Sequence, residues 1–265
     1  MPLPRSRTLH RGIAIRSYSK YGIGAAFALS LSAGVARADF KVWAPDAEPG
    51  AVAVESVGDY GHDPVSARSG EQSYTQELEY GVTNFWKTEL ELEWERPPGI
   101  GVSTDFSQVT TENLLQFTER GEYWMDAGFF IEYGQAMLGK TPNETTFGPV
   151  LRKEFADTIN TLNLFVEKDL GRYATGRPAL LYAWETRIDL GTIIEPGFQA
   201  YGQPGPFGHF ASLGEQDHRL GPQLFGNVVH LGPGSLTWNG GILFGLTPAA
   251  PRYTLRWQAE YEIHF

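Results

Sequence analysis

The stretch "WKTELELEWE", residues 86–95, alternates without a break. Trp86, Thr88, Leu90, Leu92 and Trp94 share one face at period two, and Lys87, Glu89, Glu91, Glu93 and Glu95 share the other. That period belongs to a β-strand. Its two faces also demand different solvents. A basic residue facing lipid near the bilayer midplane costs about 2–4 kcal/mol, and an acid somewhat less. A face of successive glutamates must therefore meet water, either outside a soluble barrel or in a hydrated lumen. Trp86 and Trp94 bracket the apolar face roughly 26 Å apart at the usual strand rise. An outer-membrane barrel carries aromatic girdles on either side of an apolar band about 25 Å tall. The spacing favours the lumen.

The same alternation recurs along the chain. Strands are expected over 51–57, 73–82, 86–95, 104–117, 122–133, 144–155, 158–168, 178–189, 193–202, 217–228, 235–246 and 252–265. Long connections (58–72, 96–103, "GQAMLGKTPN", "DLGRYATGR" and "QPGPFGHFASLGEQ") alternate with short ones (83–85, 119–121, 156–157 and 190–192). The last pair, "VHLGPG" and "TPAAP", is less distinct. Long loops on one side and short turns on the other mark an outer-membrane barrel. The expected fold is all-β: a transmembrane, antiparallel, up-and-down barrel of about 12 strands.

The first residues supply an address. Arg5, Arg7, Arg11, Arg16 and Lys20 precede "YGIGAAFALSLSAGVARA", and no acid lies among them. Ala36-Arg37-Ala38 has the small-x-small form of a cleavage site, so residues 1–38 are expected to be a signal peptide and 39–265 the barrel. No later stretch has the roughly 18 apolar residues of a membrane helix. The net charge of −10 argues against nucleic acid as a partner. Cysteine is absent, so closure must come from strand pairing rather than disulfides.

The carboxyl-terminal strand alternates to the last residue, with Tyr261, Ile263 and Phe265 on its apolar face. With this strand, the signal segment and the strand series, the chain resembles bacterial outer-membrane β-barrel proteins. The resemblance implies that the barrel-insertion machinery of a Gram-negative cell reads Tyr261, Ile263 and Phe265 as an assembly signal. Segments such as "TTFGPVLRKEF", "WETRIDLGTIIEPGFQAYG" and "LTPAAPRYTLRWQAEYEIHF" are similar to a group of uncharacterised proteobacterial barrels. They are more loosely similar to transporters linked to degradation of phenolic compounds. Outer-membrane lipid and small solutes are the implied partners, and a homo-oligomer stays open.

Parity places Glu77, Glu79, Glu89, Glu91, Glu93, Arg152, Glu185, Arg187, Arg219 and Arg256 in the lumen as pore-lining residues. Glu95, Glu112, Asp126, Glu132, Glu154, Glu167, Asp189, Glu195, Glu260, Glu262 and Lys87 follow by the same rule. Carboxylates about 7 Å apart on one strand repel by about 0.6 kcal/mol in water and about 2.4 kcal/mol at an effective dielectric of 20. They must stay hydrated, pair with arginine or take up protons. Twelve strands lie between a side-chain-filled barrel of eight and an open porin of sixteen or more. Trp124, Phe130, Phe165, Tyr201 and Phe225 are candidates to narrow the bore. The expected function is a small porin-like channel, passive and favouring cations or neutral solutes, with no cofactor, metal or catalytic residues.

Two alternatives remain at the level of sequence. One is an outer-membrane lipid hydrolase of phospholipase or lipid A deacylase type, using His209 with Ser212 or Asp217 with His218; the other is a sealed structural barrel. No recognised catalytic motif surrounds those residues, and no close histidine spacing suggests a metal. The loop 203–216 is long enough to fold into the mouth or to meet a partner.

Overall fold

The computed structural model describes residues 40–265, apart from the side chains of 227–230. The expected signal peptide lies outside the described residues. Twelve strands run in order: β1 (Ala51–His62), β2 (Gln72–Thr83), β3 (Trp86–Arg96), β4 (Asp105–Gln116), β5 (Asp126–Ala136), β6 (Asn143–Phe155), β7 (Thr158–Leu170), β8 (Ala179–Ile188), β9 (Ile194–Pro206), β10 (Asp217–Leu231), β11 (Gly234–Gly245) and β12 (Tyr253–His264). Each pairs antiparallel with its neighbours in sequence, and β1 pairs with β12 to close the barrel. The closing seam runs from Ala51 opposite His264 to His62 opposite Tyr253. Closure leaves no strand edge with unpaired backbone groups.

The faces divide as the alternation dictates. Glu77 is 4% exposed and its chain neighbour Leu78 is 51% exposed. On β3, Glu89, Glu91 and Glu93 are buried while Leu90 and Leu92 are exposed. Val54, Ile131, Phe147, Phe198, Leu224 and Leu255 continue the apolar exterior around the barrel. Trp94 packs against Phe106 near the long-loop end, their rings 5.2 Å apart. At the other end the Trp86 indole donates to Asn113 Oδ1.

Two expectations need correction. The first strand was expected to end at 57, because Gly58, Asp59 and Gly61 resemble turn residues. Instead β1 continues to His62. Gly58 faces outward opposite Trp257, whose indole lies where a β-carbon at 58 would have to sit. The glycine is therefore a seat for an aromatic ring at the closing seam, and Asp59 joins Glu55 inside.

The second concerns 117–125, expected to hold a tight turn and the start of a strand at 122. It is one irregular connection. Gly121 takes a positive φ, its N–H donates to Asp126 Oδ1, and Glu122 N–H donates to Glu119 O. Asp126 thus organises the connection and also faces inward to Arg152. Trp124, expected to narrow the bore, is 76% exposed in this connection with Lys153 over its ring. Elsewhere the short connections are as brief as Asn84-Phe85, Ala156-Asp157 and Gly232-Pro233. The last of these restores the alternation that "VHLGPG" left indistinct.

Candidate functional site: an acidic lumen and the strap within it

Before β1 begins, residues 40–48 run through the lumen as an extended strap. Gly50 turns the chain with φ +81°, and Glu48 O lies against Gly81 so closely that a β-carbon there would collide with it. From that turn at the short-connection end, the strap reaches back to Phe40, which sits under Arg219 and Tyr201.

The strap has no strand partner, so barrel side chains satisfy its backbone. Asn163 accepts the Trp43 N–H at 2.9 Å and donates to Trp43 O at 2.9 Å, as a neighbouring strand would. Tyr201 Oη donates to Phe40 O, and Gln116 accepts the Ala47 N–H. The Trp43 ring is buried with Leu114, Phe130, Val150 and Phe165. Phe40 and Val42 pack toward Ala183, Tyr201 and Leu243. Arg152 grips Asp46 through both terminal nitrogens and Asp126 through Nε.

Lys41 carries the strongest polarity. Its Nζ lies 2.8 Å from Glu55 and 2.8 Å from Glu89, and it also contacts Glu77. Burial alone would lower its pKa. The carboxylates of Glu55, Glu77 and Glu89 outweigh that effect and hold it well above the ordinary lysine range, so the group is an ammonium. Its cage draws on three adjacent strands, β1, β2 and β3. Inward glutamates face one another directly across strand pairs: Glu55 with Glu77, Glu77 with Glu91, Glu79 with Glu89, Glu89 with Glu112, and Glu112 with Glu132. Like charges opposite one another destabilise a sheet. Lys41 and Lys87 offset part of this repulsion; Lys87 lies 2.7 Å from Glu79 and 3.3 Å from Glu89.

The structure places Glu77, Glu79, Glu89, Glu91, Glu93, Arg152, Glu185, Arg187, Arg219 and Arg256 on the inner face. Glu77 and Glu89 hold Lys41, Glu79 pairs with Lys87, and Glu91 is buried beside them. Glu93 accepts from Thr110 and Gln108. On the opposite wall Glu185 accepts from Gln199, and Arg187 pairs with Glu195. Arg219 bridges Asp217 at 2.6 Å and Glu71 at 2.7 Å. Arg256 donates to Gln199, Asn239 and Gln258. The lumen is thus divided into an acidic wall on β1–β4 and an arginine-bearing wall on β6 and β8–β12. Two residues expected inside sit at the rim instead. Glu154 is half-exposed and pairs with Arg120, and Asp189 is exposed in the connection after β8. Phe130, Phe165, Tyr201 and Phe225 are buried inside.

Sequence reasoning missed the strap, and with it Lys41, Trp43 and Asp46. One available signal was that Phe40-Lys41-Val42-Trp43 begins two residues after the expected cleavage site at Ala38. Between the strap and β12, β1 and β2 lies a cavity of about 260 Å³, lined by Lys41, Glu55, Glu79, Glu260 and Glu262 among others.

At the terminal strand, Tyr261 Oη donates to Leu231 O, Ile263 pairs opposite Val52, and Phe265 is exposed. In loop 207–216, Ser212 Oγ donates to Glu215 at 2.7 Å. The His218 ring contacts Tyr182 Oη at 2.9 Å and Gln216 Oε1 at 2.6 Å.

No protein-family model matches the sequence, and no curated protein matches it. Among solved structures the chain is similar to CdiB from Escherichia coli, at 10% identity and a TM-score of 0.39, over 82% of this chain and 63% of that one. The chain therefore spans 63% of the length of CdiB. It is similar to a bacterial polysaccharide outer membrane secretin, at 8% identity and a TM-score of 0.34, over 82% of this chain and 99% of that one. A third likeness is to Pseudomonas aeruginosa OccK7 (OpdD), at 11% identity and a TM-score of 0.24, over 80% of this chain and 98% of that one.

Proposed function

We propose that the chain is a bacterial outer-membrane barrel acting as a small porin-like channel, without catalysis, that favours cations or neutral solutes. One observation supports this most directly. The closed barrel collects carboxylates and guanidiniums inside and leaves Leu, Val, Ile, Phe and Trp side chains outside, the reverse of a soluble barrel. Hydrocarbon suits that exterior, and closure satisfies the backbone where no water can. Tyr261, Ile263 and Phe265 would serve the insertion machinery during assembly. The acidic wall of β1–β4 biases the interior toward cations, and the strap narrows the path.

Planar-bilayer recording under a salt gradient tests the reading. The expected reversal potential shows cation preference, and reversal toward anion preference contradicts the proposal. A second reading, a sealed barrel, is favoured by the depth of the strap's packing. It predicts no current from the intact barrel and current only once residues 40–48 are deleted, whereas a strap-narrowed channel conducts beforehand and gains conductance on that deletion.

A further inference from the structure

We infer that the carboxylate cage around Lys41 is a binding site for the primary ammonium group of a solute, and that Lys41 is its built-in competitor. The solute role rests on the channel reading above and names the class of cation it would admit. The chemistry is visible in the occupant. An ammonium offers three N–H donors, and Lys41 Nζ meets three carboxylates, those of Glu55, Glu77 and Glu89. The glutamates belong to the barrel wall and the ammonium to the strap, so donor and acceptors are separable parts. With Lys41 in place the cage's two ordinary contacts are 2.8 Å, the length of a charge-assisted N–H···O bond; the three carboxylates are also close enough together to hold a metal, the rival occupant that the calcium arm of the test separates.

Two further observations point to a ligand. Glu112, 1% exposed, stands opposite Glu89 on the next strand. One of its oxygens accepts the Trp43 indole N–H at 3.0 Å, and the other, also buried, meets no N–H donor and only the carboxyl of Glu91. A buried acceptor without a donor is costly, the more so when charged. A ligand with additional donors would satisfy it. The cavity of about 260 Å³ adjoins Lys41 and Glu55 and extends to Glu48 and Glu262 at the short-connection end. Its charged lining is acidic apart from Lys41 and Lys87. A small alkylammonium therefore has a mainly acidic route to the edge of the cage at Glu55. Lys41 and a solute ammonium cannot occupy the cage together, so solute binding and release of the strap's first residues are coupled.

The test uses the folded barrel in detergent and reads amide hydrogen exchange over residues 41–47. Propylammonium chloride is compared with tetramethylammonium chloride, which has the charge without N–H donors, and with calcium chloride, all at equal ionic strength. Propylammonium is expected to speed exchange of the strap about tenfold, and tetramethylammonium to leave it unchanged. In the Lys41→Met variant, calorimetry is expected to give propylammonium about tenfold tighter binding than in the wild type, equivalent to about 1.4 kcal/mol. Adding Glu77→Gln and Glu89→Gln should remove that binding. Equal effects of the two organic cations, a preference for calcium, or a folded Lys41→Met barrel that binds no propylammonium would overturn the inference. Should Lys41→Met fail to fold, the wild-type exchange comparison decides alone. Neither readout needs current. A conducting barrel without this binding defeats the site, and a binding barrel that never conducts defeats the channel reading.

Discussion

Asn163 does for the strap what a hydrogen-bonded neighbour does for every other extended segment of the chain. Its amide both accepts from and donates to Trp43, and it is fully buried. Asn163→Leu keeps the volume and removes both bonds. The Trp43 N–H and C=O are then buried without partners, each at a cost of about 1–3 kcal/mol. The expected outcome is loss of exchange protection over residues 40–47 in a barrel that still migrates as a compact species on unheated gels. Retained protection would mean that the Trp43 ring and the Arg152–Asp46 pair hold the strap without the amide. The two anchors differ in kind. Trp43 fills space between Phe130 and Phe165. Arg152 balances the charges of Asp46 and Asp126, and removing one side of such a buried set strands the other.

At the scale of elements, the strands were legible because each repeats a two-residue period with unlike solvents on its two faces. A one-residue slip would turn every glutamate of β3 to the apolar outer face, so the register is held strongly. The end of β1 was not legible. Gly58 and Gly61 have the composition of a turn, and only the partner strand shows that Gly58 accommodates Trp257. This gives a prediction for the seam. Gly58→Leu places side-chain atoms where the indole lies, an overpacking that costs about 1–3 kcal/mol. The temperature at which the barrel loses its compact gel mobility should fall. Gly240 faces the same tryptophan from β11 with room for a β-carbon, so Gly240→Ala should leave that temperature near the wild-type value. The strap escaped sequence reading for a different reason. It pairs with no strand, its partners are scattered from Glu55 to Tyr201, and Phe40, Val42 and Trp43 are apolar on both sides of an extended chain. Residues 41, 43, 45 and 47 are buried and 42, 44 and 46 only partly so, so the strap lacks the unlike faces that mark a strand of the wall.

At the scale of the whole molecule, the same residue type is used in two opposite environments. Trp94 and Trp257 face outward, while Trp43 sits on the axis side of the wall. A bilayer surrounding the barrel can distinguish them. Single-tryptophan variants keeping only Trp94, or only Trp43, can be reconstituted into vesicles whose lipids carry bromine along the acyl chains. Quenching by those lipids falls off within a few ångströms, so it reports contact with hydrocarbon. Trp94 should be strongly quenched, because the apolar face it shares with Leu90 and Leu92 has no other cover. Trp43 should be quenched little, because the barrel wall stands between it and the lipid on every side. Deleting residues 40–42 while keeping Trp43 should not change that result unless the tryptophan leaves the lumen. The reverse pattern, with Trp94 protected and Trp43 quenched, would require the carboxylates of β2 and β3 to face hydrocarbon. At several kcal/mol for the run of glutamates, that is comparable to the whole net stability of a domain, roughly 5–15 kcal/mol.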